Sequence, residues 1–148
     1  MNRKLLRSLR EYKKESILTP ILVIFEVFME VLIPLLMANI IDVGIANSDM
    51  NYILKTGLLL IVLAVVALFF GAMAGKMGAI ASSGYVKNLR QDIFYKIQDF
   101  SFKNIDRFST SSLVTRLTTD LTNIQMAYMM TIRLLVRAPI MIVLSLIM

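Results

Sequence analysis

The chain has 148 residues, 57% of them hydrophobic, with a mean hydropathy of +0.73 and a formal net charge of +6. It has no cysteine and no histidine, which excludes disulfides, cysteine-based metal or redox sites and the commonest general base. The apolar residues come in long runs rather than scattered positions, so the composition is that of a membrane protein.

Residues 1–16 read as a basic amphipathic helix. Leu5, Leu9 and Tyr12 fall on one face, and Arg3, Lys4, Arg7, Arg10, Lys13 and Lys14 fill the rest. Such a helix lies on the membrane surface with its cations among the headgroups. The apolar run that follows is too long for a cleavable signal and lacks a small-residue cleavage site, so it is expected to stay as a span.

Residues 17–41 form the first expected span, which contains Pro20, Pro34, Asn39 and the acids Glu26 and Glu30. The acids are four residues apart, hence on one helical face. Carboxylates inside a membrane face a bundle interior or a water-filled cavity. Two readings stay open here. One is a polar site on a translocation path; the other is a bond to a neighbouring helix or a position near the interface.

Residues 42–52 contain Gly44, Asn47, Ser48 and Asp49 and form a turn without Lys or Arg. The second span, 53–75, carries Gly71 and Gly75 at small-xxx-small spacing, which permits close helix packing in lipid. The run Gly71 to Met77 superficially resembles a phosphate-binding loop. It is one residue short, has Met77 where a magnesium-binding hydroxyl belongs, and follows no strand. The helical pattern then continues to about Phe100, with Val86, Leu89, Ile93, Ile97 and Phe100 as an apolar seam. From Met77 this limb is about 36 Å long at the usual helical rise.

Residues 101–112 read as the tip of a helical hairpin, with an amphipathic piece from Phe102 to Phe108 and a hydroxyl cluster from Ser109 to Ser112. Ser111 or Ser112 is placed to cap the return helix. Leu113, Leu117, Leu121, Ile124 and Tyr128 form its matching stripe. The return limb runs to about Arg137, roughly 37 Å, so the two limbs match. A third apolar segment begins near Ala138 and is about half the ~20 residues of a span at Met148, so residues 113–148 are read as a cytosolic limb and the start of a third span. The sequence is therefore expected to be the N-terminal piece of a longer protein.

Charge gives the orientation. Six Lys or Arg precede the first span, Lys55 lies beside the 42–52 loop, and the other nine fall between Lys76 and Arg137. The positive-inside rule then puts the N-terminus and the 76–137 hairpin in the cytosol and the 42–52 loop outside. The same distribution accounts for the +6 without any nucleic-acid partner.

At the tip, Arg107-Phe108-Ser-Thr-Ser-Ser-Leu113-Val-Thr-Arg116-Leu117-Thr-Thr-Asp120 resembles the first intracellular loop of ATP-binding cassette (ABC) exporters. Asn88 to Phe94 resembles the stretch upstream of it, and Pro34 to Gly44 the end of the first transmembrane helix. Where many members have Thr-Gly this chain has Thr110-Ser111, the form similar to the heterodimeric multidrug branch. The resemblance implies an all-α transmembrane domain with an N-terminal elbow helix, two spans, the hairpin and the start of a third span. It implies a coupling helix, carried onto Asn104, Ile105, Asp106, Arg107 and Phe108, that docks on nucleotide-binding domains. ATP and magnesium would bind in those domains, and no cofactor in this stretch. The implied setting is the bacterial plasma membrane, with lipid around the chain, a second and different transmembrane subunit, and a small-molecule drug or lipophile as cargo. Glu26 and Glu30 become candidates for the substrate path. Full-length members hydrolyse ATP; no residue of this stretch is a candidate catalyst. The competing reading is a two-span sensor or scaffold that signals through its cytosolic helices.

Overall fold

A computed structural model of the chain describes residues 8–98 and 115–147, the Arg116 side chain excepted. All regular structure among the described residues is helical. Helix α1 is Lys13–Asn39, preceded by one 3₁₀ turn, Arg10–Tyr12. It is widened at its end into a π-helical segment, Ile40–Ile45. Helix α2 is Met50–Gln98, and α3 is Leu121–Ile147, entered through a second π segment, Arg116–Asp120.

Among the described residues three helices are long and apolar enough to cross a membrane: Arg10–Ile45, Met50–Gln98 and Leu117–Ile147. A two-span arrangement leaves the third of these unexplained. Pro20, Pro34 and Pro139 lie inside helices without ending them. Spans tolerate such residues because neighbouring groups re-satisfy the freed carbonyls.

The segment between α1 and α2 is compact. Ala46 N–H donates to Ile41 O at 3.3 Å and Asp49 N–H to Gly44 O at 2.9 Å, both five residues back. Ser48 then takes a left-handed conformation, φ 54°. Asp49 caps α2, its Oδ1 accepting from the Asn51 and Tyr52 N–H groups at 3.0 and 3.1 Å. A Cβ on Gly44 would lie 2.7 Å from Ile53 Cγ1, so the close approach of the two helices there needs glycine. The chain reverses at 46–49, inside the loop read from the sequence.

The chain divides into two compact units, one of Met1–Ile17 with Met77–Ile132, the other of Leu18–Lys76 with Arg133–Met148. In the first unit Tyr85, Val86, Leu89 and Leu121 form a buried cluster, with Leu9, Ile93, Leu117 and Tyr128 packed on it. Val86, Leu89, Ile93, Leu117, Leu121 and Tyr128 of the two expected stripes meet here, whereas Ile97 is outside the cluster, Ile124 is exposed, and Phe100 and Leu113 lie outside the described residues. The Tyr85 and Tyr128 rings stack at 4.7 Å. Burial first, and then the adjacent Tyr128, raises the Tyr85 hydroxyl above the ordinary tyrosine value.

The described N-terminal arm is held on this unit by polar bonds. Asn88 Nδ2 donates to the Ser8 carbonyl at 3.0 Å, and Ser8 Oγ to Asp92 Oδ2 at 2.8 Å. Arg10 pairs with Asp92 at 2.7 Å. Tyr128 donates its hydroxyl to Ser16 Oγ at 2.9 Å. The arm thus passes into α1 with no break between residues 16 and 17.

In the second unit the buried residues are Leu22, Val23, Val27, Ala67 and Ala74, with Thr19, Thr56 and Glu26 among them. Large side chains such as Phe28, Leu54, Leu68 and Phe69 are exposed. This is the pattern of spans whose outer faces meet lipid, where small residues set the packing.

Candidate functional site

The site of interest is the acid pair of α1. Four residues of helix bring Glu26 and Glu30 to one face, and Arg137 of α3 reaches both. Arg137 Nη1 donates to Glu26 Oε1 at 3.0 Å. Its Nη2 donates to Glu30 Oε2 at 2.8 Å and to Oε1 at 3.0 Å. One guanidinium therefore bridges two carboxylates, leaving one formal negative charge in excess. The fixed fork of arginine suits this geometry, which a lysine ammonium does not reproduce.

The three groups are not equally enclosed. The side chain of Glu26 is 10% exposed, that of Glu30 30% and that of Arg137 34%. The second oxygen of Glu26, Oε2, is buried and accepts no hydrogen bond among the described residues. Gly71 of α2 makes room for this carboxylate, since a Cβ there would sit 3.0 Å from Oε1. One turn on, a Cβ at Gly75 would meet nothing within 4 Å. Of the two glycines at small-xxx-small spacing, Gly71 is thus the one in close contact. Phe25 and Phe70 stack beside it at 5.4 Å.

On its open side Glu30 forms part of the wall of a cleft of about 670 Å³ between α1 and α3, with Val31, Pro34, Met141, Ile142 and Ser145. The cleft is therefore apolar apart from one carboxylate and one hydroxyl. Gly71 to Met77 lies mid-helix, where the backbone N–H groups are already engaged, so no phosphate-binding loop forms there.

Sequence reasoning singled out Glu26 and Glu30 but not their partner. Spacing puts Arg137 at the end of a polar limb and leaves the acids with two readings. The signal is present in the sequence: Arg137 opens the third apolar segment, and an acid pair in another span needs a cation. The other candidates, Asn104, Ile105, Asp106, Arg107 and Phe108, lie outside the described residues, as do Ser111 and Ser112.

These features define a helical membrane protein with several spans and an ionic clasp between two of them. Comparison with known proteins narrows the class. The family described as the ABC transporter transmembrane region matches residues 16–148. An uncharacterized ABC transporter ATP-binding protein, YfiB of Bacillus subtilis, is 36% identical over 139 residues, 94% of this chain and 24% of that protein. A second, MT1311 of Mycobacterium tuberculosis, also called an uncharacterized ABC transporter ATP-binding protein, is 28% identical over 133 residues, 90% of this chain and 23% of that protein. The chain belongs to the ABC transporter transmembrane-region family, and it spans about a quarter of the length of these relatives.

Proposed function

We propose that this chain forms the first part of the substrate pathway of an ATP-driven exporter for drugs or other amphipathic compounds. The observation that carries the reading is the family match over 16–148, joined to relatives that are named ATP-binding proteins. In this reading ATP with magnesium binds in nucleotide-binding domains beyond this stretch. A second, different subunit completes the cavity. The N-terminus and the 76–137 hairpin face the cytosol and the 42–52 loop faces outward, as the positive-inside rule requires. The membrane is the bacterial plasma membrane, a reading supported by relatives from Bacillus subtilis and Mycobacterium tuberculosis.

Coupling is assigned to Asn104–Phe108 at the hairpin tip. Phe108 is the apolar anchor, and Asp106 and Arg107 are its polar contacts with the ATPase domain. A rigid hairpin transmits closure of the ATPase domains as a rigid-body movement of the helices. The test is Asp106→Ala with Phe108→Ala in the intact transporter. ATPase stimulation by transported compounds is expected to disappear while basal hydrolysis and membrane insertion persist. Undiminished stimulation would remove the coupling role.

A further inference from the structure

We infer that Glu26 exchanges its cation between Arg137 and Arg133, one turn earlier in α3, so that the clasp is a catch with two positions along α1. The inference goes beyond the transport reading and uses the geometry of the clasp alone. Its first observation is an imbalance. Arg137 gives Glu30 two hydrogen bonds, at 2.8 and 3.0 Å, and Glu26 one, at 3.0 Å. Arg137 is thus chiefly the partner of Glu30. Glu26 is the more buried acid, and its Oε2 is out of solvent with no hydrogen bond among the described residues. A carboxylate held by one bond in a membrane-spanning segment is short of a cation.

The second observation is a cation short of an acid. Arg133 lies four residues before Arg137, hence on the same face of α3. It is half-buried, and among the described residues it makes no ion pair. With Arg133 included, the two helices carry two acids and two bases at the same four-residue spacing. The helices run the same way here, since Pro34, beyond Glu30, shares a cleft wall with Met141 and Ser145, beyond Arg137. The Arg137 guanidinium bridges carboxylates one turn apart, so it stands about half a turn from each. An Arg133 side chain extended the same way puts its guanidinium one turn, about 6 Å, nearer the start of α3. The Glu26 carboxylate then lies between the two cations. A movement of α3 by about half a turn, about 3 Å, toward its Ile147 end sets Arg133 against Glu26 and Arg137 against Glu30. Helix shifts of this order are among the ordinary movements of switching proteins. In the first position one cation is shared and the other is idle; in the second each acid has its own. Neither position strands an acid, which keeps the cost of passing between them low.

Chemical unfolding of the intact transporter in detergent tests the pairing, and ATP turnover tests its use. In the wild type, Arg133→Gln is expected to change the unfolding equilibrium by less than about twofold, because Glu26 has Arg137. The background Glu30→Gln with Arg137→Gln removes the tighter pair together and leaves Glu26 to Arg133. There Arg133→Gln is expected to lower the folded-to-unfolded ratio roughly tenfold, the worth of one partly buried ion pair, and adding Glu26→Gln should abolish that cost. A tenfold coupling of Glu26 with Arg133 already present in the wild type would make Arg133 a fixed third member of the clasp and overturn the exchange. An equal cost of Arg133→Gln in every background would mean that Arg133 serves lipid headgroups, with the same result. If the background fails to insert and Glu26→Gln restores it, Arg133 does not reach that acid, and the inference falls. Turnover decides without that background. Arg133→Gln should slow ATP hydrolysis roughly tenfold, Arg133→Lys should keep most of it, and Glu26→Gln combined with Arg133→Gln should recover most of it. Undiminished hydrolysis in Arg133→Gln, or a slowing that Glu26→Gln does not relieve, would show that the second position is not visited and overturn the inference. A wild type without ATP hydrolysis would sink the transport reading instead, and the unfolding measurements would still decide the pairing.

Discussion

Each of the two compact units contains an acid–base contact, and the two differ in what surrounds them. In the first unit Arg10 meets Asp92 at 2.7 Å, with both side chains at least a third exposed. Beside it lies an apolar cluster that includes Tyr85, Val86, Leu89 and Leu121. In the second unit Arg137 meets Glu26 and Glu30, and Glu26 is itself buried among Leu22, Val23 and Val27 of the same helix. Removing the pair in the first unit leaves that cluster in place and exposes charge to water. Removing the cation in the second strands two carboxylates among apolar side chains. The comparison shows why similar distances do not imply similar energies: the environment of the partner left behind decides.

The sharpest way to break this comparison is Arg137→Met. Loss of one partner of a buried pair costs about 3–5 kcal/mol, and partial exposure of Arg137 places the expected loss near 3 kcal/mol. Chemical unfolding of the intact transporter in detergent measures it. The triple variant Glu26→Gln, Glu30→Gln, Arg137→Met should recover most of that loss, because no charge is then stranded. A triple variant as unstable as Arg137→Met would show that the cost comes from lost packing rather than from orphaned acids.

A smaller effect is expected at the glycines. Gly71→Val crowds the Glu26 carboxylate, which Arg137 holds in place, and overpacking of this kind costs about 1–3 kcal/mol. Gly75→Val meets open space and should change stability by less than about 0.5 kcal/mol. Matching losses at the two positions would mean that both glycines face close neighbours, so that the Glu26 carboxylate is not what sets Gly71 apart.

Much of this was legible in the sequence, for reasons that follow from helical periodicity. Val86, Leu89 and Ile93 and the facing Leu117, Leu121 and Tyr128 recur at three- and four-residue steps, and they do pack in one cluster. The shared face of Glu26 and Glu30 follows from their spacing alone. What spacing does not give is how each helix is rotated about its axis against its neighbours. Gly71 and Gly75 lie on one face, yet only Gly71 meets a side chain of α1. Arg137 lies 107 residues from Glu30 and 111 from Glu26, so no local rule connects them. Periodicity predicts a helix on the membrane surface for the arm and puts Asp92 on a face away from the seam. In the fold Asp92 and Asn88 pair with Ser8 and Arg10 across 80 to 84 residues, which leaves no periodic trace.

The smallest expected effect tests the other half of the comparison. Arg10→Ala removes a solvent-screened pair, and such pairs contribute about 0.2–1 kcal/mol. Asp92 does not become an orphan in that variant, because Ser8 Oγ still donates to it at 2.8 Å and water reaches the remaining oxygen. The loss should therefore be near 0.5 kcal/mol at low salt and vanish by about 0.5 M NaCl, where the Debye length falls to roughly 4 Å. Asp92→Ala should cost more and depend less on salt, since it also strips the partner from the Ser8 hydroxyl, and Ser8 is buried. Unfolding midpoints of the intact transporter at the two salt concentrations separate the cases. A salt-insensitive loss above about 2 kcal/mol for Arg10→Ala would place this contact in the same class as the Arg137 clasp. The contrast between the two units would then rest on packing alone.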